Sequence, residues 1–510
     1  MSTGLHLFLA VVAILSQHVQ AADILVATVT YASPWMDVAK IAEELASRGH
    51  VVTVLAHASQ KSDLMRKWPT LQYETFGDPE TPPSIKEVAK TVPQKMAFSS
   101  SGMLGLLKFG STLSSALLDL GEEMLSDNQL LTKLSNSHYD VVLTYAGPSY
   151  GPTVAQYLDL PLVCTMRSLP TGQDIRATGV PNPLAYVPTV TSELSDRMTF
   201  LQRVKNVLIY FAASTMGQLV LEKRYDDVAK RTDVWLYQSD LMFDFPKPLM
   251  PNMVSIAGHM AEDVRPLSEE LERFVQSSGD DGVVLVTFGS MIAAMPAELA
   301  DMLAAAFARL PQKVVWRYAG TPPPSLGPNT KTMEWVPQND LLAHPKTKAF
   351  VSHCGYNGVA EAMYHGVPLV GMPLMSDAHD NIARMVARGM AVSLNIHTVT
   401  SEEVAQAITS VISDPSFKEK ANHISTHLRD QPQSPMERAV WWIEHVIKHG
   451  GLPHLRSRAP ELPFYQYYLL DVIALIVAVI SAVLLSCWKC CSFACGMCKR
   501  GMTSTKLKSN

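Results

Sequence analysis

The chain has 510 residues, 47% of them hydrophobic and 17% charged, with a formal net charge of -5. That length exceeds what one ordinary core holds, so two domains with additions are expected. The charge balance gives no basic field for nucleic acid, and the body of the chain has no zinc-type Cys/His spacing.

The amino terminus, "MSTGLHLFLAVVAILSQHVQAADILV", carries an apolar run from Leu5 to Leu15 and then a polar stretch ending in small residues. This is the layout of a secretory signal peptide over residues 1–21, cut near Ala21 or Ala22. Its start lacks Lys and Arg, so an uncleaved anchor is the competing reading. "DILVATVTY" then reads as a buried strand, "WMDVAKIAEELASRGH" as a helix stopped at Gly49, and "VVTVLAH" as a second strand. Such β-α-β alternation calls for a parallel sheet with right-handed crossovers. "YDVVLTYAG" and "LPLVCTM" supply further strands of the same half. Long apolar helices are expected at 103–126 and 200–221; the second reads as a helix buried at a domain cleft rather than one lying on a membrane surface.

Prolines cluster in "DFPKPLMPNMVS", followed by the charged "AEDVRPLSEELERF", and mark a linker. The expected division is a first Rossmann-like domain at 22–245, a linker at 246–282 and a second Rossmann-like domain at 283–450. The second is built on "GVVLVTFGSM", "KVVWRYAG", "AFVSHCG" and "VPLVGMPL". After a juxtamembrane stretch at 451–465, residues 466–488 form an apolar span flanked by Tyr465, Tyr467, Tyr468 and Trp488. The tail, 489–510, has five Lys/Arg and no acid, so it is expected in the cytosol with the body in a lumen, as a single-pass type I protein. Five of the seven cysteines crowd this boundary, as palmitoylation sites, as a loose metal-like cluster or as plain thiols. The body keeps only Cys164 and Cys354 and no Asn-x-Ser/Thr sequon, so it relies on its core.

Chemistry-bearing residues gather at the strand ends of the second half. "FGSM" brings a glycine and Ser290 where backbone N–H groups can approach a phosphate. "EWVPQNDLL" offers Trp335 as a flat surface for a base and Gln338 as an amide. "AFVSHCGYNGVAEAMYHG" runs a strand into His353, Asn357 and Gly358 at a helix start, with Glu361 suited to a ribose diol. "PLMSDAHDN" adds Asp377 for sugar hydroxyls. Singly each has an ordinary structural reading; their ordered succession provides for base, ribose, diphosphate and sugar in turn.

The segment "WVPQNDLLAHPKTKAFVSHCGYNGVAEAMYHGVPLVGMPLMSDAHDN" closely resembles the signature of the UDP-glycosyltransferases, and "QKVVWRY", "PLAYVP" and "SPMERAVWWIEHVIKHGG" resemble the same family. Its look is nearest the animal UDP-glucuronosyltransferase type and the ceramide galactosyltransferase branch. The resemblance implies an α/β fold of the GT-B kind, two facing Rossmann-like domains with a cleft, plus a C-terminal transmembrane helix. It implies transfer of glucuronate or a hexose from a UDP-sugar, a co-substrate with no other cofactor and no metal, to a small lipophilic acceptor, with inversion. By resemblance Trp335 stacks on uracil, Gln338 lies near the nucleoside, and Glu361 holds the ribose. Ser290, His353, Asn357 and Gly358 meet the diphosphate, and Asp377 meets the sugar. Ala378 stands where relatives carry Gln or His, and Cys354 where a glycine is common, at a turn that needs positive φ. "KLKSN", with Lys506 and Lys508, resembles an endoplasmic-reticulum retrieval signal, which puts the active body in that lumen. Homo- or hetero-oligomerisation is left open.

The resemblance breaks in the first half. The family base, a His before the first helix, falls on Pro34, and the Asp that orients it falls on Tyr145. Proline has no proton to move, and a tyrosine near pKa 10 is a poor base at pH 7. Three readings follow: an acceptor such as an amine that needs little base help, a substitute group at Asp37 or His57, or a UDP-sugar-binding partner of active transferases that turns nothing over.

Overall fold

A computed structural model describes residues 21–506, except 32, 89–97, 99–101, 148–149, 171–173, 221–228, 241, 262–263, 290–291, 293–294 and 375–376. Residues 1–20 of the expected signal peptide, and Lys508, lie outside these residues. The chain forms two compact units, 1–456 and 457–510.

The first unit holds two wholly parallel sheets. The first sheet has seven strands in the order β3-β2-β1-β4-β5-β6-β7: β1 (Asp23–Ala27), β2 (Val51–His57), β3 (Gln72–Phe76), β4 (Val141–Tyr145), β5 (Leu162–Met166), β6 (Val234–Tyr237) and β7 (Met253–Ser255). The second has six, β10-β9-β8-β11-β12-β13: β8 (Val283–Thr287), β9 (Lys313–Arg317), β10 (Thr330–Met333), β11 (Thr347–Ser352), β12 (Leu369–Gly371) and β13 (Ala391–Ser393). Both start with the doubly wound 3-2-1-4-5-6 order, so each reverses direction once, at β1/β4 and at β8/β11. In open α/β sheets ligands bind outside the strand carboxyl ends at such a reversal. The strands read as runs of Val, Ile and Leu because both faces are covered. Val283, Val284, Leu285 and Val286 are all fully buried, each contributing about 1.5–3 kcal/mol by leaving water.

Helices that accompany these sheets include α1 (Ser33–Ser47), α2 (Gly102–Ser126), α3 (Phe200–Val220), α4 (Glu269–Gln276), α5 (Gln338–Ala343), α6 (Tyr356–His365), α7 (Ala378–Ala387) and α8 (Pro435–His449). Two of them depart from the linear division of the sequence. Residues 246–282 are built into both halves rather than spanning a gap: β7 adds an edge strand to the first sheet, while Ala257 and, on α4, Leu271 and Val275 join a core of the second. Helix α8 follows the second half in sequence but packs on the first sheet. Its Ala439, Val440, Ile443 and Val446 share one cluster with Val38, Ile41 and Leu45 of α1.

Helix α3 corrects the expectation of a helix buried at the cleft. Phe200, Leu201, Leu208 and Phe211 are 69%, 75%, 64% and 60% exposed. Among its described side chains the one buried is polar: Asn206 is fully enclosed, accepts from Thr189 N at 2.7 Å and donates to the carbonyls of Leu184 and Val187, each at 2.9 Å. The proline-rich loop at 183–188 leaves carbonyls without ladder partners, and the Asn206 amide satisfies them. That demand, not apolarity, turns the helix.

The second unit contains one long helix, α9 (Leu470–Lys506), of which Leu470–Cys495 is long and apolar enough to cross a membrane. It begins after a separate turn at Phe464–Tyr467, so the expected span at 466–488 starts four residues early and the helix continues beyond Trp488.

Candidate active site

The reversal of the second sheet gathers the expected donor residues. Two residues past the end of β8 stands Gly289, whose φ of 82° is open to glycine and strained for other residues. A Cβ there would lie 2.5 Å from His353 Cε1, and one on Gly355 would lie 2.4 Å from His353 Nε2. The imidazole is therefore slotted between two glycines that line the reversal. Burial lowers its pKa to about 4, against the pull of Asp377, so it is neutral at physiological pH. Its buried Nδ1 has no hydrogen-bond partner among the described residues. Cys354 follows with φ 64°, the left-handed turn expected at this position.

Gly355 caps α6 with no side-chain bond, so the first N–H groups of the helix, where Asn357 and Gly358 sit, receive no intrahelical partner. That end favours an anion. A Cβ on Gly358 would come 3.3 Å from Phe350 and 3.4 Å from Gln338 Nε2, so its absence lets α5 draw close. One turn on, Glu361 Oε2 accepts from Gln338 Nε2 at 2.7 Å. Burial pushes the Glu361 carboxyl up to about 7. Glu361 lines a small cleft together with Gln238, Gly258, His259, Tyr356 and Asn357.

Trp335 is 68% exposed, which suits a stacking platform better than a core residue. Asp377 sits at the N-cap position of α7, where Asn381 Nδ2 donates to its Oδ2 at 2.8 Å and to the Cys354 carbonyl at 3.0 Å. Ser290 lies outside the described residues. Arg317, not singled out from the sequence, links two pieces of the site: its guanidinium lies 5.3 Å from the Trp335 ring and donates to the Gly289 carbonyl. Only its place at the end of a strand, beside Tyr318, could have flagged it.

On the first sheet, Pro34 sits in the first turn of α1 and Tyr145 closes β4, both at the reversal. Asp37, one helical turn beyond Pro34 and on the same face, is fully buried. Its Oδ1 accepts from Asn357 Nδ2 at 3.4 Å, joining the two halves, and its Oδ2 is 3.6 Å from Arg167 Nε. Burial raises its pKa, with Arg167, Gln238 and Asn357 opposing. His57, also buried, pairs instead with Ser59 Oγ at 2.9 Å and Glu123 Oε1 at 3.3 Å, all within the first half. The structure thus brings Asp37, but not His57, to the donor residues. A second tie runs through Asp380 of α7, which accepts from Thr191 N at 2.6 Å and Glu193 N at 3.0 Å.

Two doubly wound parallel sheets tied together across their reversals form the GT-B arrangement of glycosyltransferases. Solved structures agree on the fold: a UDP-glucosyltransferase from Polygonum tinctorium has a TM-score of 0.60 at 17% identity, covering 84% of this chain and 99% of that one. The glycosyltransferase VinC, in complex with DTDP, scores 0.56 at 18% identity, covering 84% and 100%. More particularly, the model of the family "UDP-glucoronosyl and UDP-glucosyl transferase" matches residues 22–504, and the chain belongs to that family of UDP-glycosyltransferases. UDP-glucuronosyltransferase 2B33 of Macaca mulatta is 39% identical over 485 residues, 90% of this chain and 91% of that protein. UDP-glucuronosyltransferase 1A1 of Homo sapiens is 37% identical over 495 residues, 94% and 92% respectively.

Proposed function

We propose that this protein transfers glucuronate or a hexose from a UDP-sugar to a small lipophilic acceptor, with inversion at the anomeric carbon, from a lumenal body anchored in the endoplasmic-reticulum membrane. The observation that carries the reading is the Gln338–Glu361 bond of 2.7 Å beside the uncapped start of α6. A carboxylate held by an amide suits a ribose diol, and the helix end one turn away suits the diphosphate. Trp335 stacks on the base, His353 and Asn357 flank the phosphates with Ser290, and Asp377 takes sugar hydroxyls. The acceptor's lone pair attacks the anomeric carbon from the first-half side as the bond to UDP breaks on the other, which inverts the centre. Pro34 supplies no base there; of the two candidate substitutes only Asp37 reaches the donor half, through Asn357, and because it is enclosed and ion-paired with Arg167 the acceptor's proton is released to solvent. The apolar helix at Leu470–Cys495 and the "KLKSN" terminus support membrane residence and retrieval.

The test is turnover in microsomes containing the full chain, with a panel of UDP-sugars and both phenol and amine acceptors, following conjugate and free UDP by mass spectrometry. Conjugates that disappear in Glu361→Ala are the expected result. UDP-sugar binding lost in Glu361→Ala with no conjugate from any pair would instead identify a binding partner of active transferases.

A further inference from the structure

We propose that Arg167 is a donor-site residue supplied by the first half, its guanidinium taking an anionic oxygen of the UDP-sugar while Asp37 acts as its positioning residue. The assignment rests on the donor reading above and adds a group from the opposite domain. Arg167 is the first residue after β5, the strand beside β4, so it emerges at the same sheet edge as Tyr145. Its guanidinium lies 5.9 Å from the Tyr145 ring centre. Burial opposes its charge, but Tyr145, Asp37 and Asp377 together hold it above the usual value. Asp377, expected at the sugar, is thus within electrostatic reach from across the cleft.

The exposures decide which member of the ion pair meets a ligand. The Asp37 side chain is 0% exposed and that of Arg167 25%. The carboxylate is the enclosed counter-ion, and Arg167 is the member of the pair whose side chain reaches solvent. The second oxygen of Asp37 is engaged by Asn357, in the first turn of α6, so the same carboxylate fixes two groups that flank the donor. A guanidinium fork matches two oxygens of a phosphate or carboxylate. As the anomeric C–O bond breaks, both its electrons leave on the β-phosphate oxygen, the acceptor's lone pair forms the new bond, and the acceptor's proton passes to solvent. Charge therefore builds on the leaving diphosphate, where a preorganised cation helps most. Without a histidine at position 34, the reaction leans more heavily on this side.

Two anions share this chemistry, the β-phosphate and the C6 carboxylate of a uronic sugar. Calorimetry on the full-length protein in detergent, with UDP and UMP as probes, separates them when combined with turnover of UDP-glucuronate against UDP-glucose. For the β-phosphate, Arg167→Gln weakens UDP about tenfold or more and leaves UMP unchanged. Arg167→Lys then restores part of the loss, and Asp37→Asn shows a smaller loss with the same pattern. For the carboxylate, both nucleotides bind as in the wild type while kcat/KM for UDP-glucuronate falls relative to UDP-glucose. Trp335→Ala, which weakens UDP and UMP alike, marks the pattern of a nucleoside defect. An Arg167→Gln protein that matches the wild type in every ratio, or that loses UDP and UMP equally, overturns the assignment. A wild-type protein that binds no UDP sinks the donor reading and this assignment together.

Discussion

Glu361 carries a carboxyl raised from 4.5 to about 7, chiefly by burial, with Gln338 and Lys40 opposing and Asp340 and Asp37 adding to the rise. Ionisation of a carboxyl raised in this way costs folding stability: its contribution is full below 4.5 and is lost as pH rises through about 7. Ribose hydroxyls donate to the ionised form, so uridine, which does not titrate in this window, is expected to bind more tightly at pH 8 than at pH 6. Calorimetry with Glu361→Gln should lose that dependence; a slope that persists would point to another group, though not to His353, already neutral with a pKa near 4. Cys354 makes a second prediction. At φ 64° with its sulfur against the position of Gly371, it has no room for a branched Cβ. Cys354→Val is expected to lower stability by about 2 kcal/mol or more in chemical denaturation. The positive φ here was legible because a glycine is common at this turn. Arg317 and Arg167 were not legible, because each matters through groups distant in sequence: Gly289 and Trp335 for one, Asp37 and Tyr145 for the other.

Helix α3 shows why periodicity found the element and missed its orientation. Apolar residues at 200, 201, 204, 208 and 211 follow helical spacing and argue for a buried face. A single amide outweighs them, since Asn206 satisfies three backbone groups of a loop that could not be predicted to lie against it. Asn206→Ala should therefore cost about 2 kcal/mol or more in thermal or chemical melts, whereas Leu201→Ala should fall within about 0.5 kcal/mol of wild type. The reverse ranking would mean that α3 buries its apolar side after all. The strands were easier, because continuous Val and Leu runs between turn signals have few other readings when both faces are covered. Element ends also decided the site: Gln338, Asn357 and Asp377 all stand in the first turn or at the cap of a helix, and such starts are marked by the turns before them.

At the scale of the molecule, the two-sheet plan was readable from repeated β-α-β alternation, but the path of the chain between the sheets was not. A linear reading assigns residues to one half or the other in order, and nothing local in "SPMERAVWWIEHVIKHGG" says which sheet its apolar stripe will cover. The return is fastened by Asp233, fully buried, whose carboxylate accepts from Arg456 Nη2 at 2.6 Å, Leu452 N at 2.7 Å and Leu162 N at 3.1 Å. Replacing it leaves a cation and two N–H groups without their acceptor, so Asp233→Ala is expected to cost about 3 kcal/mol. Limited proteolysis near residue 450, read with a denaturation curve, would register the loss; an unchanged pattern would mean that apolar packing alone holds the return. The same route has a meaning for the order of synthesis. A ribosome making this chain completes the seven strands of the first sheet some 180 residues before it makes α8, the helix that shares a core with α1. Through that interval the first half waits with one flank of its sheet covered by α1 but not yet by α8, while the second half is already able to close. The half expected to choose the acceptor is thus the last to be finished, and a message cut short before Pro435 yields a chain whose earliest-made part has no way to complete its fold.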